Sequence, residues 1–389
     1  LKDPVDALRK AAVNVLTAIY RLRLHERPGC VPPACDAQLH TNAKSERHSL
    51  IARAAASHAV VLLKNDGHLL PFHRWRVHSI AISGPAAEPN AAGGLTADYY
   101  SGGGSGHVPV GAVQSPRQAI VARAAKAGIK VVNGTAADVC IVVVGATASE
   151  GVDRTSLNVE GEPDIEKAAH ECNRTVVLMQ TPGAVVTPWR ERVDSIANLF
   201  LGGEETANAW AAMLFGDHTP SGKLPVTFPE SMIDVVRPGL GWNVNYSEGL
   251  LTAYRSPTVR AAFPFGHGLS YANFEYTDAK AKPKCPWSAC AIVTITNPKS
   301  SRYPGREVVQ AYVHFGNQPR EPNLMLRGFH KTGVLKPGQT EKVFFRLDPR
   351  DLSVYKPEIG GWVEQRNVTL HIGSSSADIR AVVPLIPKF

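Results

Sequence analysis

The sequence predicts two architectures in series: an α/β domain built on a largely parallel sheet, then an antiparallel β-sandwich. Three observations lead there. Up to about residue 270, helical stretches alternate with short runs that are apolar at every position, as in strands covered on both faces. Beyond it, the strands alternate apolar with polar residues. The turn-rich string FPFGHGLSY at 263–271 divides the two patterns.

Residues 3–24 open with an amphipathic helix. Asp3 is placed to cap it, Pro4 suits its first turn, and Val5, Leu8, Val13, Leu16 and Tyr20 recur at helical spacing. The Pro- and Cys-containing stretch 28–35 is a linker, and a second helix is expected over 46–63, where a row of alanines suits close packing. Strands follow at 78–83, 129–132, 139–145, 175–180 and 195–201, with helices at 116–127, 163–172 and 207–215. In the last part, strands are expected at 292–296, 307–315, 342–347 and 368–373, separated by turn signals at 336–338 and 359–361. The expected division is 1–45, a helix and linker; 46–271, the α/β domain; and 272–389, the sandwich.

Length and composition narrow the class. A chain of 389 residues is too long for one ordinary core, so two or three domains are expected. No apolar run approaches the length of a membrane span; the best, 139–144, is far too short. The net charge of +8 comes from scattered Lys and Arg, with no basic block and no nucleic-acid module, so nucleic acid is not an expected partner. The chain begins inside a helical pattern without a methionine or a leader, so further sequence is expected upstream of Leu1.

Six cysteines are present: Cys30 and Cys35 lie close together, as do Cys285 and Cys290, and Cys140 and Cys172 remain. Neither close pair has zinc-ligand spacing and no His cluster completes a site, so no metal or other cofactor is expected and disulfides are the better reading. Asn133, Asn173, Asn245 and Asn367 each head an Asn-x-Ser/Thr sequon. Four sequons with paired cysteines favour a secreted or secretory-pathway protein, whether extracellular, vacuolar or lysosome-like.

Several strings in register carry a family resemblance. They are VLLKNDGHLLP at 61–71, GDHTPSGKLPVTFP at 216–229, the segment 246–254, FPFGHGLSY at 263–271, GREVVQAY at 305–312 and LRGFHK at 326–331. In order and over nearly the whole chain, they resemble the C-terminal portion of family 3 glycoside hydrolases of the β-glucosidase type, an α/β-sandwich domain followed by a fibronectin III-like domain. Most of these strings read structurally: His267 has no partner His or Cys and reads as a hydrogen-bonded structural histidine. The loop GGGSG at 102–106 does not fit a phosphate cradle, because His107 stands where a sixth-position glycine is needed and no Gly-Lys-Ser/Thr follows. It is similar to a loop of some family 3 enzymes, and is expected either near the active-site mouth or simply as a flexible surface loop.

The chemically loaded stretch is 144–157, which leaves the C-terminal end of the buried strand 139–145, the usual place for function in an open α/β sheet. Its string SEGVDRTSL at 149–157 resembles the segment that supplies the general acid/base in the family. The resemblance places that role on Glu150, with Asp153 and Arg154 as a loop-organising pair. The substrate it implies is a β-linked glycoside or oligosaccharide. Two positions depart from the family pattern: 201–205 reads LGGEE, and 159–163 reads VEGEP.

A retaining glycosidase needs two carboxyl groups roughly 5–5.5 Å apart, one nucleophile and one acid/base. The resemblance implies that the nucleophile sits on an N-terminal (β/α)8 barrel, yet no eightfold βα pattern occurs here, and 1–24 resembles only that barrel's last helix. Two readings follow. In the preferred one, a precursor is cut before Leu1 and the barrel remains beside this chain as a separate chain, with a homodimer of such pairs as a further assembly. In the other, the chain is a non-catalytic secreted or structural protein derived from family 3 parts.

Overall fold

The computed structural model describes residues 3–26, 29, 33, 35–88, 98–108, 113–236, 243–316 and 321–385. The chain divides into two compact units, Leu1–Ser49 and Leu50–Phe389.

In the first unit, α1 (Pro4–Arg21) begins as the sequence dictates. Asp3 caps it, its Oδ1 accepting the Val5 and Asp6 N–H groups at 2.9 and 3.2 Å, with Pro4 in the first turn. No α1 residue is buried, and its apolar stripe of Val5, Leu8, Val13, Leu16 and Tyr20 is exposed. A short helix, α2 (Asp36–Leu39), follows the linker.

The second unit carries both predicted architectures. Its first elements are α3 (Glu46–Ala59), β1 (Val61–Asn65), β2 (Ser79–Ser83), α4 (Pro116–Ala127), β3 (Lys130–Val131) and β4 (Val139–Gly145). They continue with α5 (Glu162–Glu171), β5 (Thr175–Gln180), β6 (Ser195–Leu199) and α6 (Thr206–Leu214). The six strands form one sheet in the order β1-β6-β5-β4-β2-β3, parallel throughout except for β1, which runs antiparallel to β6 at the edge.

The expected helix over 46–63 ends instead at Ala59, and Val61-Leu62-Leu63 form the buried part of β1. The alanine row keeps helical spacing only to that point; the Val60-Val61 pair then favours extended backbone, because both side chains are β-branched.

Strand β4 shows why an all-apolar run was needed. Val139, Ile141 and Val143 enter the core under α3, α4 and α6, while Cys140, Val142 and Val144 enter the core under α5 on the opposite face. A strand covered on both sides has no position for a polar residue. Helix α4 is set by its ends, a Ser115–Gln118 capping box at the start and left-handed Gly128 at the finish.

A short pair, β7 (Phe228–Pro229) with β8 (Ala261–Phe263), leads to the sandwich. Its strands are β9 (Glu275–Ala281), β10 (Ala289–Thr296), β11 (Val308–His314), β12 (Met325–Lys331), β13 (Thr340–Leu347), β14 (Ser353–Lys356), β15 (Gly361–Glu364), β16 (Thr369–Ser375) and β17 (Asp378–Pro384). Two antiparallel sheets, β13-β10-β9 and β12-β11-β16-β17, enclose one core that includes Val293, Val309, Phe345 and Ile372; β14 and β15 form a separate hairpin. The segment 263–271 packs the α/β domain against the sandwich. His267 Nε2 donates to the Leu63 carbonyl at 2.8 Å, and Gln310 Nε2 donates to the Gly266 carbonyl at 3.0 Å. Gly266 has φ +80° and a Cβ there would lie 2.0 Å from Gln310 Oε1, so only glycine fits.

Cys140 on β4 is bonded to Cys172 at the end of α5, and Cys285 to Cys290 at the start of β10. Cys35 is disulfide-bonded, and Cys30 lies outside the described residues. The four sequon asparagines, Asn133, Asn173, Asn245 and Asn367, are all exposed.

Candidate active site

Strands β2, β4, β5 and β6 run parallel, so their C-terminal ends and the loops that follow lie along one edge of the sheet. Residues 146–161 leave β4 there. The loop's roots are tied down: Ala146 N–H donates to the Gln180 carbonyl at 2.9 Å, and Glu160 N–H donates to the Gly145 carbonyl at 2.7 Å. Its tip carries Glu150, which is exposed.

A second loop, 98–108, comes up against that tip. Gly103 N–H donates to the Ala148 carbonyl at 2.9 Å, and Glu150 N–H donates to the Gly103 carbonyl at 3.1 Å, a short piece of parallel ladder. Ser105 then holds the Glu150 carboxylate: its N–H donates to Oε2 at 2.7 Å, and its hydroxyl donates to the same oxygen. The two donors hold the Glu150 carboxyl below its ordinary range, since hydrogen bonds to the ionised form stabilise it.

Deeper contacts organise the pair of loops. Buried Asp98 accepts the Tyr100 and Ser101 N–H groups at 2.7 and 2.6 Å, and Tyr99 donates its hydroxyl to Glu160. Burial, with Glu160 adjacent, raises the Tyr99 hydroxyl far above its usual value, so it remains a donor. The loop after β6 joins them: Gly203 N–H donates to the Tyr100 carbonyl at 3.0 Å. This is the departing LGGEE segment, in which Leu201 takes a positive φ of 38° and nearly buried Glu205 accepts Arg53 Nε at 2.7 Å.

Asp153 and Arg154 are not joined to each other. Asp153 is exposed, whereas half-buried Arg154 donates from Nη1 to the Ala184 carbonyl at 3.1 Å. Burial lowers the Arg154 pKa, and its Nη2 is buried without a partner among the described residues. A cavity of about 430 Å³ lies under this loop, bordered by Ser149, Asp153, Arg154 and Glu160. A larger one, about 530 Å³, opens at the junction with the sandwich. Its charges are already matched, Lys223 with Glu307 at 3.1 Å and Arg380 with Asp378 at 2.8 Å, so it reads as a structural seam.

Among the described residues no three His, Cys, Asp or Glu side chains gather as a metal-binding group, and no helix is long and apolar enough to cross a membrane. No eight-stranded barrel is formed among them either. The site thus offers, in Glu150, an exposed carboxyl group at the tip of a cross-braced loop, suited to passing a proton to or from something that approaches that edge of the sheet.

Residues 60–271 match the glycosyl hydrolase family 3 C-terminal domain. The chain belongs to glycosyl hydrolase family 3. Residues 307–376 match a fibronectin type III-like domain, so the family 3 chain carries the α/β domain and the β-sandwich in the order described. It is 32% identical over 374 residues to thermostable β-glucosidase B of Acetivibrio thermocellus, which covers 86% of this chain and 48% of that protein. Probable β-glucosidase D of Emericella nidulans is 29% identical, with 86% and 49% covered. The β-D-glucoside glucohydrolase of Trichoderma reesei is a structural neighbour with a TM-score of 0.78 and 28% identity, over 88% of this chain and 56% of that one. The chain spans about half the length of the curated relatives it matches.

Proposed function

We propose that this family 3 chain supplies the general acid/base, Glu150, of a retaining, exo-acting β-glycosidase of β-glucosidase type. The nucleophilic carboxylate comes from an N-terminal (β/α)8 barrel, a separate chain of the same precursor. The observation that carries the reading is Glu150 itself: an exposed carboxyl at the tip of the loop leaving the central strand, oriented by two donors from Ser105. The substrate class follows from the β-glucosidases to which the chain is similar.

In the first step, the barrel carboxylate attacks the anomeric carbon and the glycosidic C–O bond breaks, while Glu150 gives its proton to the departing oxygen. In the second, Glu150 carboxylate takes a proton from water, whose oxygen attacks the anomeric carbon and displaces the barrel carboxylate. Glu150 must therefore enter the first step protonated, but within this chain its carboxyl is held low by Ser105. A second carboxylate at about 5–5.5 Å, with water excluded, opposes that effect and favours the neutral acid. The acid form thus belongs to the assembled site.

The exposed sequon asparagines and the disulfides support a secretory-pathway location, with Asn133, Asn173, Asn245 and Asn367 as N-glycan acceptors. The decisive experiment takes the chain together with its barrel partner and an aryl β-glucoside. Glu150→Ala slows hydrolysis of substrates with poor leaving groups about 10²–10⁴-fold, the range of general acid catalysis. Added azide restores turnover by intercepting the glycosyl intermediate as β-glycosyl azide. Wild-type rates in Glu150→Ala would sink the proposal. A chain that purifies without any barrel and never hydrolyses a glycoside would favour the non-catalytic alternative.

A further inference from the structure

The GGGSG loop at 102–106 does not fit a phosphate cradle, yet it forms the wall against which Glu150 rests. Gly103 brackets the acid/base loop through two backbone hydrogen bonds, at 2.9 and 3.1 Å. Gly104 has φ +94°, and a Cβ there would lie 2.3 Å from Glu150 Cβ, so the backbone approaches as closely as a glycine allows. Ser105 then turns both its N–H and its hydroxyl onto one oxygen, Oε2. The other oxygen, Oε1, accepts no hydrogen bond among the described residues.

The geometry points to Ser105 as a positioning residue for the acid/base: by occupying Oε2 with two donors it leaves Oε1 as the oxygen that hands the proton to the glycosidic oxygen and takes it back from water. The inference rests on the acid/base role of Glu150. A carboxyl with both donors on one oxygen has its torsion fixed and its proton confined to the other, which is what directed proton transfer requires. The same contacts also set the carboxyl's acidity, because they favour the ionised form. Ser105 therefore works in two opposed ways: it aims the group, and it makes the group a weaker base in the second step than a free glutamate would be.

Ser105 is exposed, so truncating it removes the hydroxyl without opening the core. The test compares Ser105→Ala, Ser105→Thr and Glu150→Ala in the barrel-containing enzyme. Hydrolysis of an alkyl β-glucoside and of a dinitrophenyl β-glucoside is followed across pH, with ¹³C titration of the Glu150 carboxyl as a readout independent of turnover. Ser105→Ala is expected to move both the carboxyl titration and the basic limb of kcat/KM to higher pH. It lowers kcat on the alkyl substrate about 10-fold more than on the dinitrophenyl one, a fraction of the full general-acid contribution. Ser105→Thr, which keeps both donors, restores all three. If Glu150→Ala behaves as an acid/base variant while Ser105→Ala leaves the titration and the leaving-group dependence unchanged, the positioning role is overturned and the acid/base assignment stands. If Glu150→Ala is fully active, both fall together.

Discussion

Lys223 and Glu307 form an ion pair at 3.1 Å across the junction between the α/β domain and the β-sandwich, with side chains only 13% and 6% exposed. Both ends have further support: Lys223 Nζ donates to the Gly268 carbonyl at 2.8 Å, and Glu307 accepts the Val308 N–H at 2.7 Å. A buried pair held in this way is costly to halve. Lys223→Met leaves a buried carboxylate unpaired and is expected to destabilise the protein by about 3–5 kcal/mol. Lys223→Met with Glu307→Gln should recover most of that, because the charge is removed as well. Urea unfolding of the four forms measures the coupling; equal losses in the single and double variants would show that the pair is not what matters.

The same junction is sensitive to acid. His58 and His218 meet edge to face, 4.6 Å between ring centroids, with Lys331 and Arg306 close by. Burial, then His58, Lys331 and Arg306, push His218 down to about 4. Burial, then Lys331 and Arg306, lower His58. Below about 6.5 the unfolded chain takes up protons at these rings while the folded protein refuses them, so stability is fully present above that pH and is lost as pH falls toward about 4. Discounted for partial exposure, His218 accounts for on the order of 1–2 kcal/mol of that loss. Melting curves from pH 7 to 4 should show the slope, and His218→Gln should flatten it.

Gly104→Ala tests the close approach of the two loops. A non-glycine residue at φ +94° is strained, and the added methyl would meet Glu150. The expected result is a fall of at least about 10-fold in glycosidase turnover, from a misplacement of the acid/base by less than the width of an atom. The site lies on surface loops, so the melting temperature should change little. An unchanged rate would mean that the loop yields without moving the carboxyl.

Cys140 and Cys172 are separated by 32 residues and link a central strand to the helix that covers it. Closing a loop of that size is worth about 3–4 kcal/mol in the chain-entropy account, and the five-residue separation of Cys285 and Cys290 about 2 kcal/mol. Paired Cys→Ala variants at the two sites should lower stability in that order. The reverse order would place their effect in native packing instead.

How far the sequence could be read depended on how strongly each element's surroundings constrain it. The fully apolar β4 and the alternating β13 are legible because burial leaves them no freedom. Strands β9, β12 and β17 were not predicted: their residues are mostly half-exposed, so no clean period of two reaches the sequence. The pattern carries the expected helix to 63, four residues past the end of α3 at Ala59, since Val-Leu-Leu suits a buried helix as well as a strand. Glu150 stands out as a candidate by resemblance together with its place after β4. Ser105 was not, because it lies 45 residues away and joins Glu150 only through the meeting of two loops.

Strand β4 ends with its last residue wholly buried, and five positions later Glu150 stands in solvent. Amide hydrogens along 139–145 should exchange only when the whole domain opens, while those of 151–156 exchange orders of magnitude faster. The proposed acid/base is thus carried on a short, replaceable tip above a stem buried on both faces. On that proposal, substitutions in the tip would alter which leaving groups are served without drawing on the stability of the sheet, so this loop is where descendants of one fold would diverge in aglycone preference while their cores stay the same.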